Sequence, residues 1–284
     1  MHSNECQEPK PMSLFSKIVH WFKEFGYRQV PVWYDSSRAT INEFNTIGKK
    51  LKILRFIPNP FPFYDWIMGF YERPSNREAL QGPVIERARE ILDVGTGTGY
   101  LLGRLVKVTG EKQHITAVDL SEQMLKNSQT YLAKHKLLAP RLEFKKADCM
   151  LLPWPDNTFH VYLSSYLLDL LPEAELRLAL REMERVLLPD GHAILITMTT
   201  ELEGVSWLMR QIYRLMNEFY CLGYHKGRWN PIWKFLFSGY APHCRPIALG
   251  KYLRESANLI PAYTKVSRVS LFPVRIYYVR KGHD

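Results

Sequence analysis

The sequence predicts an α/β fold on a largely parallel sheet, carried between two aromatic flanks. Three observations support this. From Glu90 to Thr199, short apolar runs alternate with amphipathic segments of roughly 10–15 residues, the pattern of strands joined by crossover helices. A turn with Gly95, Gly97 and Gly99 joins the first such run to the helical segment after it. The chain also changes character at both ends of this region. Residues 89–203 hold 7 of the 37 Phe, Tyr and Trp and carry 13 basic against 16 acidic side chains, whereas residues 204–284 carry 13 basic against 3 acidic.

The elements follow in order. Residues 1–12 are polar, with two prolines, and read as a disordered tail without the apolar core of a secretory signal. Residues 13–85 read as a helical N-terminal extension, or lid. Its first helix places Leu14, Phe15, Ile18, Val19, Phe22 and Phe25 on one face, with Ser13 able to cap it and Gly26 to stop it. Pro58, Pro60 and Pro62 make a rigid connector, and a further helix is expected over 75–88. Residues 86–284 form the main domain. Strands are expected at 91–94, 114–120, 141–147, 158–166 and 191–199, with helices at 99–108, 121–135 and 173–188. An aromatic insertion fills 204–248. A helix over 249–258 and a hairpin over 263–281, turning near Pro273, end the chain.

Composition excludes several classes. With 46% apolar and 23% charged residues in 284, the chain is neither disordered nor fibrous. No apolar run reaches the length of a membrane span. Cys6, Cys149, Cys221 and Cys244 lie far apart and read as reduced thiols, which points to a cytoplasmic setting. Cys221, His225, His243 and Cys244 match no metal-ligand spacing, so no metal site is expected.

The chemistry concentrates in ILDVGTGTGYL. Glycines at alternate positions let the backbone turn sharply and approach a ligand, and the following helix start offers free N–H groups. The dinucleotide fingerprint would need a third glycine at position 100, which is Tyr100, and no Gly-Lys-Ser/Thr of a phosphate loop follows. A nucleoside carrying an amino acid fits better. Asp119 ends the second strand 20 residues after Gly99, where a carboxylate can hold both ribose hydroxyls. Asp148 follows the third strand, near where an adenine amino edge would lie, with Cys149 and Met150 able to line the ring.

These elements, in this order, resemble the class I S-adenosylmethionine-dependent methyltransferases. The resemblance covers about residues 86–203. DVGTGTG matches the family's first motif, AVDLSEQML its ribose motif, and ADCMLLPWPDNTFHVYLSSYLLDLLP its adenine and fourth-strand region, with His160 standing where an Asp is usual. In word order it is similar to the ubiquinone/menaquinone C-methyltransferase and small-molecule group. The resemblance implies a Rossmann-like seven-stranded sheet of order 3-2-1-4-5-7-6 with the last strand antiparallel. It implies S-adenosylmethionine as cofactor and S-adenosylhomocysteine as product. It also implies a cofactor site of Asp93, Gly95, Thr96, Gly97, Gly99, Asp119, Leu120, Met124, Asp148, Cys149, Ser164 and Ser165.

On the substrate side, Tyr166, Trp207, Tyr224, Trp229 and Trp233 are expected to wall an apolar pocket under the insertion. His225, His243 and Tyr224 are the candidate proton acceptors. The expected acceptor is small and hydrophobic or lipid-like. Residues 13–25 and the basic C-terminal segment could meet a membrane surface, which would make the protein peripheral. The alternatives are a phospholipid headgroup N-methyltransferase, an RNA methyltransferase and an inactive cofactor-binding protein. No RNA-binding module is visible, and nucleic acid is not the expected partner. The acceptor atom and the oligomeric state are left open.

Overall fold

The computed structural model describes residues 72–212, 246–267 and 273–283. The tail 1–12, the helix over 14–25 and most of both the N-terminal extension and the insertion lie outside the described residues.

The elements are α1 (72–79), α2 (Pro83–Arg87), β1 (Glu90–Val94), α3 (Tyr100–Val108), β2 (His114–Asp119), α4 (Glu122–Lys134), β3 (Leu142–Lys146), β4 (Phe159–Ser165), α5 (Glu173–Val186), β5 (Leu187–Met198), α6 (Leu249–Leu253), β6 (Leu259–Val266) and β7 (Val274–Lys281). A short 3-10 turn, Leu168–Leu170, follows β4, and helical residues open the insertion at 207–212. The strands form one sheet in the order β3-β2-β1-β4-β5-β7-β6, as the resemblance implies. The β3-β2-β1-β4-β5 part is parallel, and β7 runs antiparallel to both β5 and β6.

A parallel sheet is buried on both faces, and its strands show it. Alternate residues point to opposite faces. Leu92, Val94, Tyr162, Ala193 and Leu195 pack on one side against Leu176, Ala179, Leu180 and Met183 of α5. Ile91, Val161, Leu163, Ile194 and Ile196 pack on the other, against Leu101, Leu102 and Leu105 of α3 and Ala79 and Ile85 upstream of β1. Each such side chain contributes about 1.5–3 kcal/mol on burial. Both layers rest on the same strands, so the sheet's carboxyl edge is held rigidly.

Four boundaries differ notably from the sequence reading. The helix expected over 75–88 is broken into α1 and α2, because Gly82 sits at φ 139° and Pro83 starts a new helix. The helix over 249–258 stops at Leu253, and the terminal hairpin starts early, at Leu259. β5 begins at Leu187, pairing with Phe159, before the register shifts at Val161.

The PWPDN stretch before β4 is fixed by Arg185 at the end of α5. Its guanidinium donates to Leu152 O at 3.0 Å, Trp154 O at 2.8 Å and Asp156 Oδ1 at 2.8 Å. Glu182 pairs with it and accepts from Leu152 N at 2.8 Å. Since the arginine is partly exposed, screening limits its charge contribution. The carbonyl bonds are the larger part. We expect Arg185→Ala to cost about 1–2 kcal/mol. A urea midpoint equal to wild type, with the same slope, would contradict that.

Candidate functional site

The site forms where β1, β2 and β4 end together. β1 delivers Asp93 and Val94 to the carboxyl edge, and the chain then turns through Gly95–Gly99 into α3. Gly95 N and Thr96 N donate to Val118 O at 2.8 and 3.0 Å, folding the loop back over β2. Gly99 caps α3 at φ 89°, and a Cβ there would meet Ser128 Oγ of α4 at 2.6 Å. The left-handed backbone and the tight helix approach both require glycine.

Asp119, the last residue of β2, ties the loop to the next turn. Its Oδ2 accepts from Gly97 N at 2.9 Å and its Oδ1 from Ser121 N at 2.9 Å. Ser121 then caps α4, accepting from Met124 N at 3.3 Å. Asp93 is buried beneath the loop and accepts from Thr96 Oγ1 at 2.9 Å. Burial pushes Asp93 up to about 7, against the lowering effect of the Thr96 bond and with a further push from Asp119. Burial likewise pushes Asp119 up to about 6, although its backbone donors favour the charge. On the far side, Asp148 accepts from Met150 N at 2.9 Å in a tight turn. Burial raises the Cys149 thiol strongly, so it is an uncharged, apolar part of the wall.

These residues line one cavity. Asp93, Gly95, Thr96, Gly97, Asp119, Leu120, Met124, Asp148, Cys149 and Ser165 of the expected cofactor set border it, and so does Tyr166. Gly99 does not; its part is to seat α3 on α4. Ser164 does not either. It is 1% exposed and precedes the lining residue Ser165, so strand alternation turns its side chain to the other face. Trp207 is 73% exposed and is not part of the wall. Tyr224, His225, Trp229, Trp233 and His243 lie outside the described residues.

The sequence reading missed Glu72 and Asn76 of α1, and Leu167, Leu170 and Leu171 after β4, all of which border the cavity. The leucines had a signal, since they follow directly on a strand already placed at the site. Nothing in the sequence around α1 marks it as part of a site.

A nucleoside bearing a cationic amino-acid arm fits this donor set. Asp119 has lone pairs left for vicinal hydroxyls, Met124 and Cys149 offer an apolar slot, and Asp93 places a carboxylate beneath the loop. Among the described residues no cluster of His, Cys, Asp and Glu could hold a metal ion. None of the described helices is long and apolar enough to cross a membrane.

Comparison with known proteins agrees with this geometry. Residues 91–191 match a methyltransferase-domain family model. A ubiquinone/menaquinone biosynthesis C-methyltransferase, UbiE, of Cellvibrio japonicus is 26% identical over 172 residues, covering 61% of this chain and 64% of that protein. The chain therefore spans just under two thirds of the length of that relative. A candidate methyltransferase of Haloferax volcanii, solved with the methyltransferase activator Trm112, superposes with a TM-score of 0.54 at 16% identity, over 79% of this chain and 96% of that one. The mitomycin 7-O-methyltransferase MmcR does so at 0.54 and 16%, over 74% and 53%. Both structures share the fold.

The raised carboxylates give the site a pH signature. In the folded protein Asp93 and Asp119 keep protons that the unfolded chain has released, so stability falls as pH rises from about 4 to 7. A cationic ligand favours the ionised carboxylates, so its binding expels protons. We expect affinity for S-adenosylhomocysteine, whose arm carries an ammonium, to strengthen about tenfold from pH 5.5 to 8, and Asp93→Asn to flatten that slope. Calorimetry in buffers of different ionisation enthalpy measures both, and a wild-type affinity independent of pH would refute the linkage.

Proposed function

We propose that the chain, whose residues 91–191 match a methyltransferase-domain model, is a class I S-adenosylmethionine-dependent methyltransferase close to the UbiE-like group and methylates a small, hydrophobic or lipid-like acceptor. The observation that carries the reading is Asp119, placed at the end of β2 and held by Gly97 N and Ser121 N with its free lone pairs toward the cavity.

When bound, the cofactor supplies a sulfonium methyl that an acceptor's electron pair can displace in line, leaving S-adenosylhomocysteine. The chain's own residues position that event. Asp119 holds the ribose hydroxyls, and Leu120, Met124, Asp148 and Cys149 surround the base. Asp93 and the Gly95–Gly97 backbone face the amino-acid arm. Ser165 and Tyr166 close the cavity at the end of β4, and Leu167, Leu170 and Leu171 keep water from its floor. An acceptor atom with a proton to lose passes it to solvent or to a nearby base, for which His225, His243 and Tyr224 of the insertion are our candidates.

An apolar acceptor is supported by the composition around the domain. The cofactor region holds 7 of 37 aromatic residues, and the insertion that leaves β5 brings Trp229 and Trp233. Aromatic walls would desolvate the sulfonium and hold a flat or greasy molecule. A lipid headgroup or a membrane-borne acceptor is the second reading. It is favoured by the exposed Trp207 and Leu208 beside Arg210, and by the 13 basic against 3 acidic residues of 204–284. In that reading residues 13–25 lie in the interface.

The cofactor and acceptor steps are tested separately. S-adenosylmethionine and S-adenosylhomocysteine are expected to raise the melting temperature by mass action. Asp119→Ala is expected to weaken S-adenosylhomocysteine by about 2–3 kcal/mol, since bonds to a charged acceptor are lost. Equal affinity in that variant would remove the ribose assignment. Extracts and lipid vesicles incubated with methyl-labelled cofactor, read by mass spectrometry, identify the acceptor class. Label found only in RNA would overturn the hydrophobic-acceptor reading.

A further inference from the structure

The helix α1 lies outside the matched domain, yet it forms one wall of the cavity through Glu72 and Asn76. It is docked on the end of β4 by two partly buried hydrogen bonds. Ser75 Oγ donates to Glu72 O at 2.8 Å, so the 2.8 Å contact between Ser75 Oγ and Tyr166 Oη takes its proton from the tyrosine. Ser165 Oγ donates to Asn76 Oδ1 at 2.7 Å. Ser75 and Asn76 are 0% and 2% exposed. Tyr166, which makes the first bond, is held at φ 54°, a strained backbone for an aromatic residue. α1 also reaches Tyr100, itself a lining residue, with Arg73 over the ring at 5.1 Å and Arg77 Nε donating to the hydroxyl at 3.4 Å.

The chemistry of the cavity wall singles out Asn76. Among the described residues the wall carries four carboxylates, Glu72, Asp93, Asp119 and Asp148, and no Arg, Lys, His, Gln or Trp. Among the described residues, Asn76 is the one lining side chain with an N–H to offer. Its carbonyl is taken by Ser165, which fixes the amide plane and leaves the Nδ2 group for a ligand. Four carboxylates suit the sulfonium and the ammonium of the cofactor. They repel its carboxylate, the only anionic group it has, which needs donors to sit there.

We propose that Asn76, presented by α1 and oriented by Ser165, donates from Nδ2 to the α-carboxylate of the cofactor, alongside the backbone N–H groups at the start of α3. This rests on the cofactor reading above and deepens it. Asn76 is the specificity-determining residue by which the site prefers a nucleoside with a complete amino-acid arm over one that has lost it.

Two ligands separate the arm from the nucleoside. S-adenosylhomocysteine carries the α-carboxylate, and 5′-methylthioadenosine lacks the whole amino-acid portion. Asn76→Asp keeps the size and the oxygen that Ser165 donates to, and sets a negative charge against the ligand's own. Calorimetry on the full chain is expected to show S-adenosylhomocysteine weakened about thirtyfold or more in Asn76→Asp, with 5′-methylthioadenosine within about threefold of wild type. Ser165→Ala, which frees the amide without removing it, is expected to weaken S-adenosylhomocysteine about fivefold with the same selectivity. It decides the matter if Asn76→Asp does not fold. Equal losses for both ligands would make α1 merely structural and overturn the proposal, as would an Asn76→Asp protein that binds S-adenosylhomocysteine like wild type. Asp119→Ala is the control, expected to weaken both ligands alike because both carry the ribose. If wild type binds neither ligand, the cofactor reading falls and this inference with it.

Discussion

The site depends on one carboxylate with two backbone partners. Asp119 binds Gly97 N from the loop after β1 and Ser121 N at the start of α4, so two neighbouring βα turns share one acceptor. Without it, two N–H groups near the cavity would lose their partner, each at a cost of about 1–3 kcal/mol. The bond also sets the loop's height above β2, which Gly95 N and Thr96 N then fix by their bonds to Val118 O. A charge so enclosed is normally expensive, and the upward push on Asp119 and Asp93 reflects that. A fold that keeps two carboxylates at the edge of its core stores affinity for a cation. The stability given up in holding them is recovered when a positively charged ligand arrives.

That constraint explains what could be read from the sequence. The glycine loop, Asp119 and Asp148 are local: each follows directly on a strand, and strand ends are where an open α/β sheet gathers ligands. The sheet order was implied by the family resemblance those motifs carry, and β1, β2, β4 and β5 are as buried as their apolar runs suggest, while the edge strand β3, LEFKK, is not. Ser164 was misplaced by one residue of alternation. Two adjacent serines look equivalent in a sequence, but only Ser165 faces the cavity. Asn76 was missed for a different reason. It lies 17 residues before Asp93, in a segment without a motif, and its bond to Ser165 spans 89 positions. Long-range side-chain pairs of this kind leave no local periodicity to detect.

Breaks in regular structure were also hard to place. Gly82 and Pro83 split what reads as one helix, and the split directs α1 over the cavity while α2 leads into β1. A continuous helix over 75–88 would point one way only. The Arg185 cluster is a second case. Its carbonyl acceptors, Leu152 and Trp154, lie 33 and 31 positions away in the proline-containing stretch before β4. The fixed loop carries the chain from Asp148 and Cys149, on the cavity wall, to β4.

The roots of the insertion are fixed by contacts of their own. The chain leaves β5 and returns at Ile247, where Thr199 and Ile247 form a parallel bridge. Ile247 N donates to Met198 O at 3.1 Å, and Thr200 N to Ile247 O at 3.2 Å. Glu201 accepts from Tyr277 Oη at 2.5 Å and from Gly250 N at 3.3 Å, and Arg275 donates to the carbonyls of Glu201 and Glu203 at 2.7 and 3.1 Å. Both ends are thus fastened to β5, β7 and α6. Loop-closure entropy grows only with the logarithm of length, by about 0.6 kcal/mol per doubling. A long insertion between pinned ends therefore costs the sheet little. The cavity belongs to β1, β2, β4 and α1, and the roots of the insertion to β5, β7 and α6.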